Sequence, residues 1–394
     1  MLISAFVIGA CSGGGSSAPT ANAGTGTGTG TGTDACIGAT SKWALWTGVT
    51  CLRGSNVLLG FFNGVDAGVS PTFSQADFNN LAAMGANVVN ISHPGLYSET
   101  PPYVLNTEAQ ANLDSLLTMI KNANMFAVIT ARSGPGRNTD WIGTLWTSQA
   151  EQDAWVAMWK YTADRYKNNS VVVGYDLMCE PYQNEIISPP TDIPSVFYPA
   201  YANTLYDWNP LAKRISDAIR QVDTTTPILI GGMNYSAAPW LNSLTSNGDN
   251  KTVYMVHNYE PHETYTHQPA PYTNTYGTTT GTYTRADLLP PFAYISTFKS
   301  SRSAPVGINE FGVMRFQPGA GQYLNDEMDI MEGYGLNYSV FSWYPPSVAA
   351  LHDSFDFRRG TDPNNHAEVS PNALTTVLQK YFQKNTVRPS NRGF

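Results

Sequence analysis

From residue 57 onward the chain alternates short apolar runs with stretches of helical period, and no other feature restricts its fold as strongly. The strand candidates are "VLLGFFNGV" (57–65), "ANVVNIS" (86–92), "MFAVITA" (125–131), "VVVGYDLM" (171–178), "PILIGG" (227–232), "VYMVHNY" (253–259), "PVGINEF" (305–311) and "NYSVFSW" (337–343). Several are near-continuous Val, Ile and Phe, the pattern of strands covered on both faces. Between them, "SQADFNNLAAMG" sets Phe78, Leu81 and Ala82 on one face, "EAQANLDSLLTMIKNAN" repeats Leu113, Leu116, Leu117 and Ile120, and "NPLAKRISDAIRQVD" carries Leu211, Ile215 and Ile219. A long helix is expected over 148–169, and weaker helical patterns occupy 289–300, 321–334 and 371–384. Strand then helix, eight times over with right-handed crossovers, closes into an α/β structure, the (β/α)8 TIM barrel. An open doubly wound sheet is the other solution, disfavoured because "FFNGVDAGVSP" lacks a Gly-rich phosphate fingerprint. No second linker splits residues 34–394, which read as a single domain.

The N-terminus has a different character. "MLISAFVIGAC" (1–11) reads as the end of a lipoprotein signal with Cys11 as the lipid anchor, or as an ordinary cleaved signal. Residues 12–33, rich in Gly, Thr and Ser, form a flexible tether. Either signal implies export, to the cell envelope as an outer-membrane or cell-surface lipoprotein or to the medium as a secreted protein. An oxidising compartment suits a disulfide between Cys36 and Cys51. Cys179, with no adjacent Lys, Arg or His to lower its pKa, reads as a small buried hydrophobe. Formal charge is -8 with 22 Lys plus Arg, so the basic footprint that nucleic acid or an anionic membrane requires is missing. Membrane contact is therefore expected only through the lipid anchor, and the chain is read as a monomer. The 9 Trp, 22 Tyr and 16 Phe suit surfaces with an apolar face and a hydrogen-bonding edge, as sugar rings demand.

The C-terminal ends of barrel strands converge on one mouth, so polar residues there call for a functional account. In chain order they are Asn90 and His93, Arg132, Glu180, His257 with Tyr259, Glu310, and Trp343. Trp141 and Trp146, after the third strand, are candidate sugar platforms. Two carboxylates aimed into one cleft suit hydrolysis of a glycosidic bond by the retaining route, which needs them about 5 Å apart. Their pKa values must then be driven apart, one held protonated by its surroundings and the other ionised by donors such as Tyr259. Zinc at His257, His262 and His267 is a poor reading, because a spacing of five suits neither one side of a strand nor one face of a helix. No G-x-S-x-G occurs in residues 34–394, which argues against a serine hydrolase.

These strand ends resemble those of family 5 glycoside hydrolases, the cellulase-like retaining (β/α)8 enzymes, over about residues 40–385. "GYDLMCEP" is similar to the family's acid/base strand and "VGINEFG" to its nucleophile strand, which implies Glu180 as proton donor and Glu310 as nucleophile. "VHNYEPHETYTHQ" resembles the sixth-strand motif, implying that His257 and Tyr259 orient the two glutamates, and "FSWYP" implies that Trp343 stacks on the sugar at the cleavage point. The substrate so implied is a polysaccharide or oligosaccharide with β-linkages, such as a β-1,4-glucan or glucomannan, cut internally with no metal or organic cofactor. Further substrate contacts are expected from Asn90, His93, Arg132 and Trp141. Two positions depart from the pattern: Cys179 stands where the family has Asn before the acid/base, and Asn90 where it has Arg. Arg132, with its fixed fork of donors, is the candidate to compensate. A non-catalytic, glycan-binding surface lipoprotein on the same barrel is the alternative that these departures motivate.

Overall fold

The computed structural model describes residues 36–58, 72–138, 143–182, 187, 191–345 and 353–394. Eight parallel strands, β1 (Arg53–Leu58), β2 (Val88–His93), β3 (Phe126–Ala131), β4 (Val172–Asp176), β5 (Ile228–Gly231), β6 (Thr252–Asn258), β7 (Val306–Phe311) and β8 (Asn337–Val340), close in sequence order into a barrel. Around it lie α1 (Gln75–Ala83), α2 (Thr107–Asn122), α3 (Gln149–Tyr166), α4 (Pro194–Tyr201), α5 (Trp208–Arg220), α6 (Leu289–Arg302), α7 (Ala320–Gly333) and α8 (Ala373–Phe382). The predicted stripes are the buried faces: Leu113, Leu116, Leu117 and Ile120 on α2, and Leu211, Ile215 and Ile219 on α5. Side-chain caps fix several starts, with Asn106 accepting from the Ala109 N–H and Asp207 from the Asn209 N–H, both at 3.0 Å.

Three expectations are corrected. The first strand begins at Arg53 rather than Val57, because Gly54, Ser55 and Asn56 pair with Val88, Val89 and Asn90 despite their polarity. At Gly54 a Cβ would fall 1.7 Å from the Val88 carbonyl oxygen, so only glycine allows this close approach. Residues 59–65 of the expected run lie outside the described residues. The alternation also fails once: between β5 and β6 a 3-10 turn at Ala238–Ser243, with Trp240 and Leu241 buried, covers the barrel where a helix was expected. Conversely, α4 appears in a stretch whose sequence showed no helical stripe.

The barrel interior is layered. At its N-terminal end Val88, Phe126, Val128, Val173, Leu229 and Val253 pack with Leu45, Trp46 and Leu52, so the segment before β1 plugs the base. The Cys36–Cys51 disulfide ties that plug together. Reducing it, or replacing Cys36 by Ser, is expected to lower stability by about 3 kcal/mol for a loop of this length, read as a lower denaturant midpoint. Toward the other end the inward residues turn polar: Asn56, Asn90, Thr130, Asp176 and Asn309 form a buried hydrogen-bonded layer. Burial pushes the Asp176 carboxyl up to about 7. The mouth lies above this layer.

Candidate active site

Glu180 reaches the mouth because the chain leaves β4 early. Beyond Asp176, the Leu177 carbonyl accepts from the indoles of Trp155 and Trp159 on α3, at 3.3 and 2.8 Å. The Cys179 N–H donates to the Ala131 carbonyl at 2.8 Å, and Glu180 then turns into the left-handed region, φ 52°. A side chain other than glycine adopts that conformation only when its surroundings hold it there. Pro181 follows and cannot donate to a ladder, so pairing stops and the carboxyl is left facing the cavity.

Glu310 arrives by a different device. Inward-facing residues on β6 run Val253, Met255, His257, and strict alternation on β7 would send Asn309 inward and Glu310 out. The β6–β7 register shifts between Val256 and His257, so that Val256 pairs with Ile308 and His257 with Glu310. This bulge lets Asn309 join the buried layer, donating to Asp176 at 2.7 Å, while Glu310 still points into the mouth.

The two carboxylates meet across one buried imidazole. His257 Nδ1 lies 2.8 Å from Glu180 Oε1 and 3.4 Å from Glu310 Oε2, and the three groups offer atoms within 4.8 Å of one another. Tyr259 donates its hydroxyl to Glu310 Oε2 at 3.0 Å. The Cys179 thiol is placed to donate to Glu310 Oε1, 3.8 Å away, and Arg132 Nη1 stands 3.9 Å from the same sulfur. The structure brings these expected residues together, His257 against Glu180 and Tyr259 against Glu310. Glu180, His257 and Glu310 are also a ligand set of metal-binding type, but their atoms already pair with one another beside the Arg132 cation, which suits proton handling rather than a cation.

The electrostatics of the free site differ from the expected split. Burial opposes charge on His257, but Glu310 and Glu180 outweigh it and lift the imidazole to about 9. Burial would raise Glu180, yet its bond to His257, with Arg132 and Arg137 behind it, holds it below the usual carboxylate range. Glu310 goes the other way, raised by burial and by the charge on Glu180 against the pull of His257 and Arg132. A raised His257 beside a lowered Glu180 favours the proton on the imidazole side of their hydrogen bond, and the group titrates as a unit. Cys179 is buried as expected, and burial holds its thiol well above its ordinary value.

Two of the expected substrate contacts, Asn90 and His93, are not in the mouth. Asn90 lies deeper, donating to Asn56 Oδ1 at 2.6 Å and accepting from Thr130 at 2.8 Å. His93 points out of the barrel, with Nε2 3.0 Å from the Ala109 carbonyl and Nδ1 accepting from the Gly95 N–H at 3.1 Å; burial lowers its pKa to about 4. Trp343 is 2% exposed, and the Arg358 guanidinium lies 4.1 Å from its ring centre. The partly exposed ring at this strand end is Phe341, edge-on to Tyr259 at 6.4 Å. Trp146 is buried against Trp208, so it pins the loop after β3. His262 and His267 stack on each other at 4.0 Å, and His267 packs on Tyr259. Cys11 and Trp141 lie outside the described residues.

Some residues of the mouth were not foreseen. Arg137 is buried behind Glu180, and Tyr182 and Tyr235 stack face to face at 4.0 Å beside it. Asn234, Tyr235 and Ser236 are three successive residues with positive φ, a strained loop of the kind found at ligand sites. "ARSGPGR" shows a tight turn in the sequence, but not where its second arginine lands.

Comparison with known proteins identifies the family. Residues 52–347 match the family model described as Cellulase (glycosyl hydrolase family 5). Endoglucanase C of Acetivibrio thermocellus is 26% identical over 201 residues, 50% of this chain and 53% of that enzyme. An endoglucanase of Paenibacillus polymyxa is 30% identical over 149 residues, 34% of each chain. The chain thus matches about half the length of the first of these relatives and a third of the second. In three dimensions, the crystal structure of an endoglucanase from the hyperthermophilic Thermotoga maritima superposes with a TM-score of 0.65 at 18% identity, covering 86% of this chain and 99% of that one. A match to the family model over most of the barrel, with two glutamates meeting at the mouth, makes this chain a member of glycosyl hydrolase family 5, the cellulase family.

Proposed function

We propose that the chain is a retaining, internally cleaving glycoside hydrolase acting on β-linked glucans or glucomannans, and that it is exported. The observation that carries this is the separation of Glu180 and Glu310, whose oxygens approach within 4.8 Å. So close an approach suits direct attack on the anomeric carbon, where inversion uses carboxyl groups set farther apart. In the first step Glu310 forms a bond to the anomeric carbon while the glycosidic C–O bond breaks and the leaving oxygen takes a proton from Glu180. In the second, Glu180 removes a proton from water, which attacks the same carbon and releases Glu310. The proton reaches Glu180 from His257 across their 2.8 Å bond. A purely glycan-binding barrel has no use for two carboxylates each held by its own donor. Export draws support from the disulfide, which persists in oxidising compartments.

The test is release of reducing ends from β-glucan, glucomannan, mannan or xylan, followed by trapping with a fluorinated glycosyl donor. A mass increase on the Glu310 peptide is expected; failure to release sugar from all four would remove the proposal. The pH profile adds a second check. The proton shared by His257 and Glu180 is bound below about 9 and lost above it, so kcat/KM is expected to fall as pH rises through that value. In His257→Asn, Glu180 must hold the proton alone, and this alkaline limb should move to lower pH. An unmoved limb would take His257 out of the proton's path.

A further inference from the structure

We propose that Arg137 is the positioning residue for Glu180: its guanidinium holds the left-handed turn after β4 and thereby fixes the acid/base carboxyl against the leaving-group oxygen. The inference rests on the function proposed above. Arg137 is 1% exposed and closes a tight turn with Gly134, each donating its N–H to the other's carbonyl at 2.9 Å. Its Nη2 donates to the Cys179 and Glu180 carbonyls at 2.9 and 2.7 Å, and its Nη1 to the Arg132 carbonyl at 2.7 Å. The last pairing of β4 with β5 joins Asp176 to Leu229, so beyond it no β5 N–H donates to the carbonyls of residues 179 and 180. Buried carbonyls without donors are strongly disfavoured, and one fork of a guanidinium satisfies two at once.

What Arg137 lacks is equally informative. Among the described residues no carboxylate forms an ion pair with it, and burial depresses its pKa to about 9. Burying a guanidinium whose hydrogen bonds all go to carbonyls is expensive even with the Glu180 charge nearby, and a neutral donor would satisfy the same oxygens more cheaply. The fork instead ties three carbonyls, at 132, 179 and 180, into one rigid unit. Those are the backbone positions of Arg132, of Cys179 beside Glu310, and of Glu180 itself. Releasing it lets Glu180 relax from φ 52° toward an ordinary conformation, which swings the carboxyl away from its partner oxygen.

The test separates loss of the acid from general damage. Arg137→Lys keeps the charge but cannot bridge two carbonyls with fixed geometry, and Arg137→Gln removes the charge. A displaced acid matters for leaving groups that need a proton and little for those that do not. Both variants are expected to lose about 10²-fold in kcat/KM on cello-oligosaccharides and less than about 5-fold on dinitrophenyl β-cellobioside. Because the two substrates are compared on one preparation, the ratio is independent of how much protein is active. Added azide, a nucleophile that needs no base, should raise kcat of the variants on the dinitrophenyl substrate and leave the wild type unchanged. Equal losses on both substrates, or two variants that do not fold, would assign Arg137 to barrel stability and overturn the proposal while leaving the hydrolase reading intact. Wild-type protein inert toward both substrates would overturn that reading, and this inference with it.

Discussion

Replacing Glu310 by Gln is expected to reduce kcat on β-glucan by at least about 10⁴-fold, on activated and unactivated substrates alike. Without the nucleophile no covalent intermediate forms, and no leaving group is good enough to compensate. Glu180→Gln should behave differently, losing about 10²- to 10⁴-fold on polysaccharide but far less in kcat/KM on a dinitrophenyl glycoside. The contrast assigns the two roles where a bare loss of activity would not. Stability adds a second signature for Glu310. Its pKa is raised on folding, so the ionised form is disfavoured in the fold, and the stability of the protonated form is lost as pH rises through the folded value. Glutamine carries no charge to desolvate, so Glu310→Gln should melt at or above the wild-type temperature at neutral pH, the difference closing toward pH 4. A variant that keeps activity on either substrate would remove Glu310 from the nucleophile's role, whereas one that unfolds earlier than wild type at neutral pH would overturn only the stability argument.

Much of this site could be read from the chain because parallel strands in a barrel end at one face. The apolar runs place seven of the eight strands within a few residues, and the two glutamates follow as the acidic residues at their ends. The errors come from what strand ends do not reveal. His93 falls on the outward parity of β2, so counting by twos from Val88 would have excluded it. Asn90 has the inward parity but sits one layer too deep, which depends on the stagger between strands rather than on sequence position. At Trp343, the large aromatic at the end of β8, the strand end does not announce the Arg358 guanidinium that packs against its ring from a later segment. The bulge that turns Glu310 inward and the turn that delivers Arg137 are backbone events with little local signature. The proton arrangement was out of reach, since it depends on a histidine lying 2.8 Å from one carboxylate and 3.4 Å from the other.

Arg132→Ala is expected to lower kcat/KM by about 10²-fold, the effect of losing one preorganised donor where charge develops. The position before Glu180 carries cysteine, a weak donor, and the thiol is aimed at Glu310 rather than at open space. Arg132 is the strong donor that comes closest, buried at 4% exposure with Nη1 3.9 Å from that sulfur. Its charge acts on both carboxylates, helping to hold Glu180 low and opposing the rise of Glu310. Removing it should therefore raise both, so the acid limb of the pH profile must move to higher pH in Arg132→Ala. Arg132→Lys keeps the charge and loses the planar fork, so it should restore the position of the acid limb while recovering only part of the rate. If instead Arg132→Ala keeps near-full turnover with an unmoved limb, Arg132 takes no part in compensating for Cys179. The Asn-like contact would then be absent, and Cys179→Asn would be the variant to gain activity.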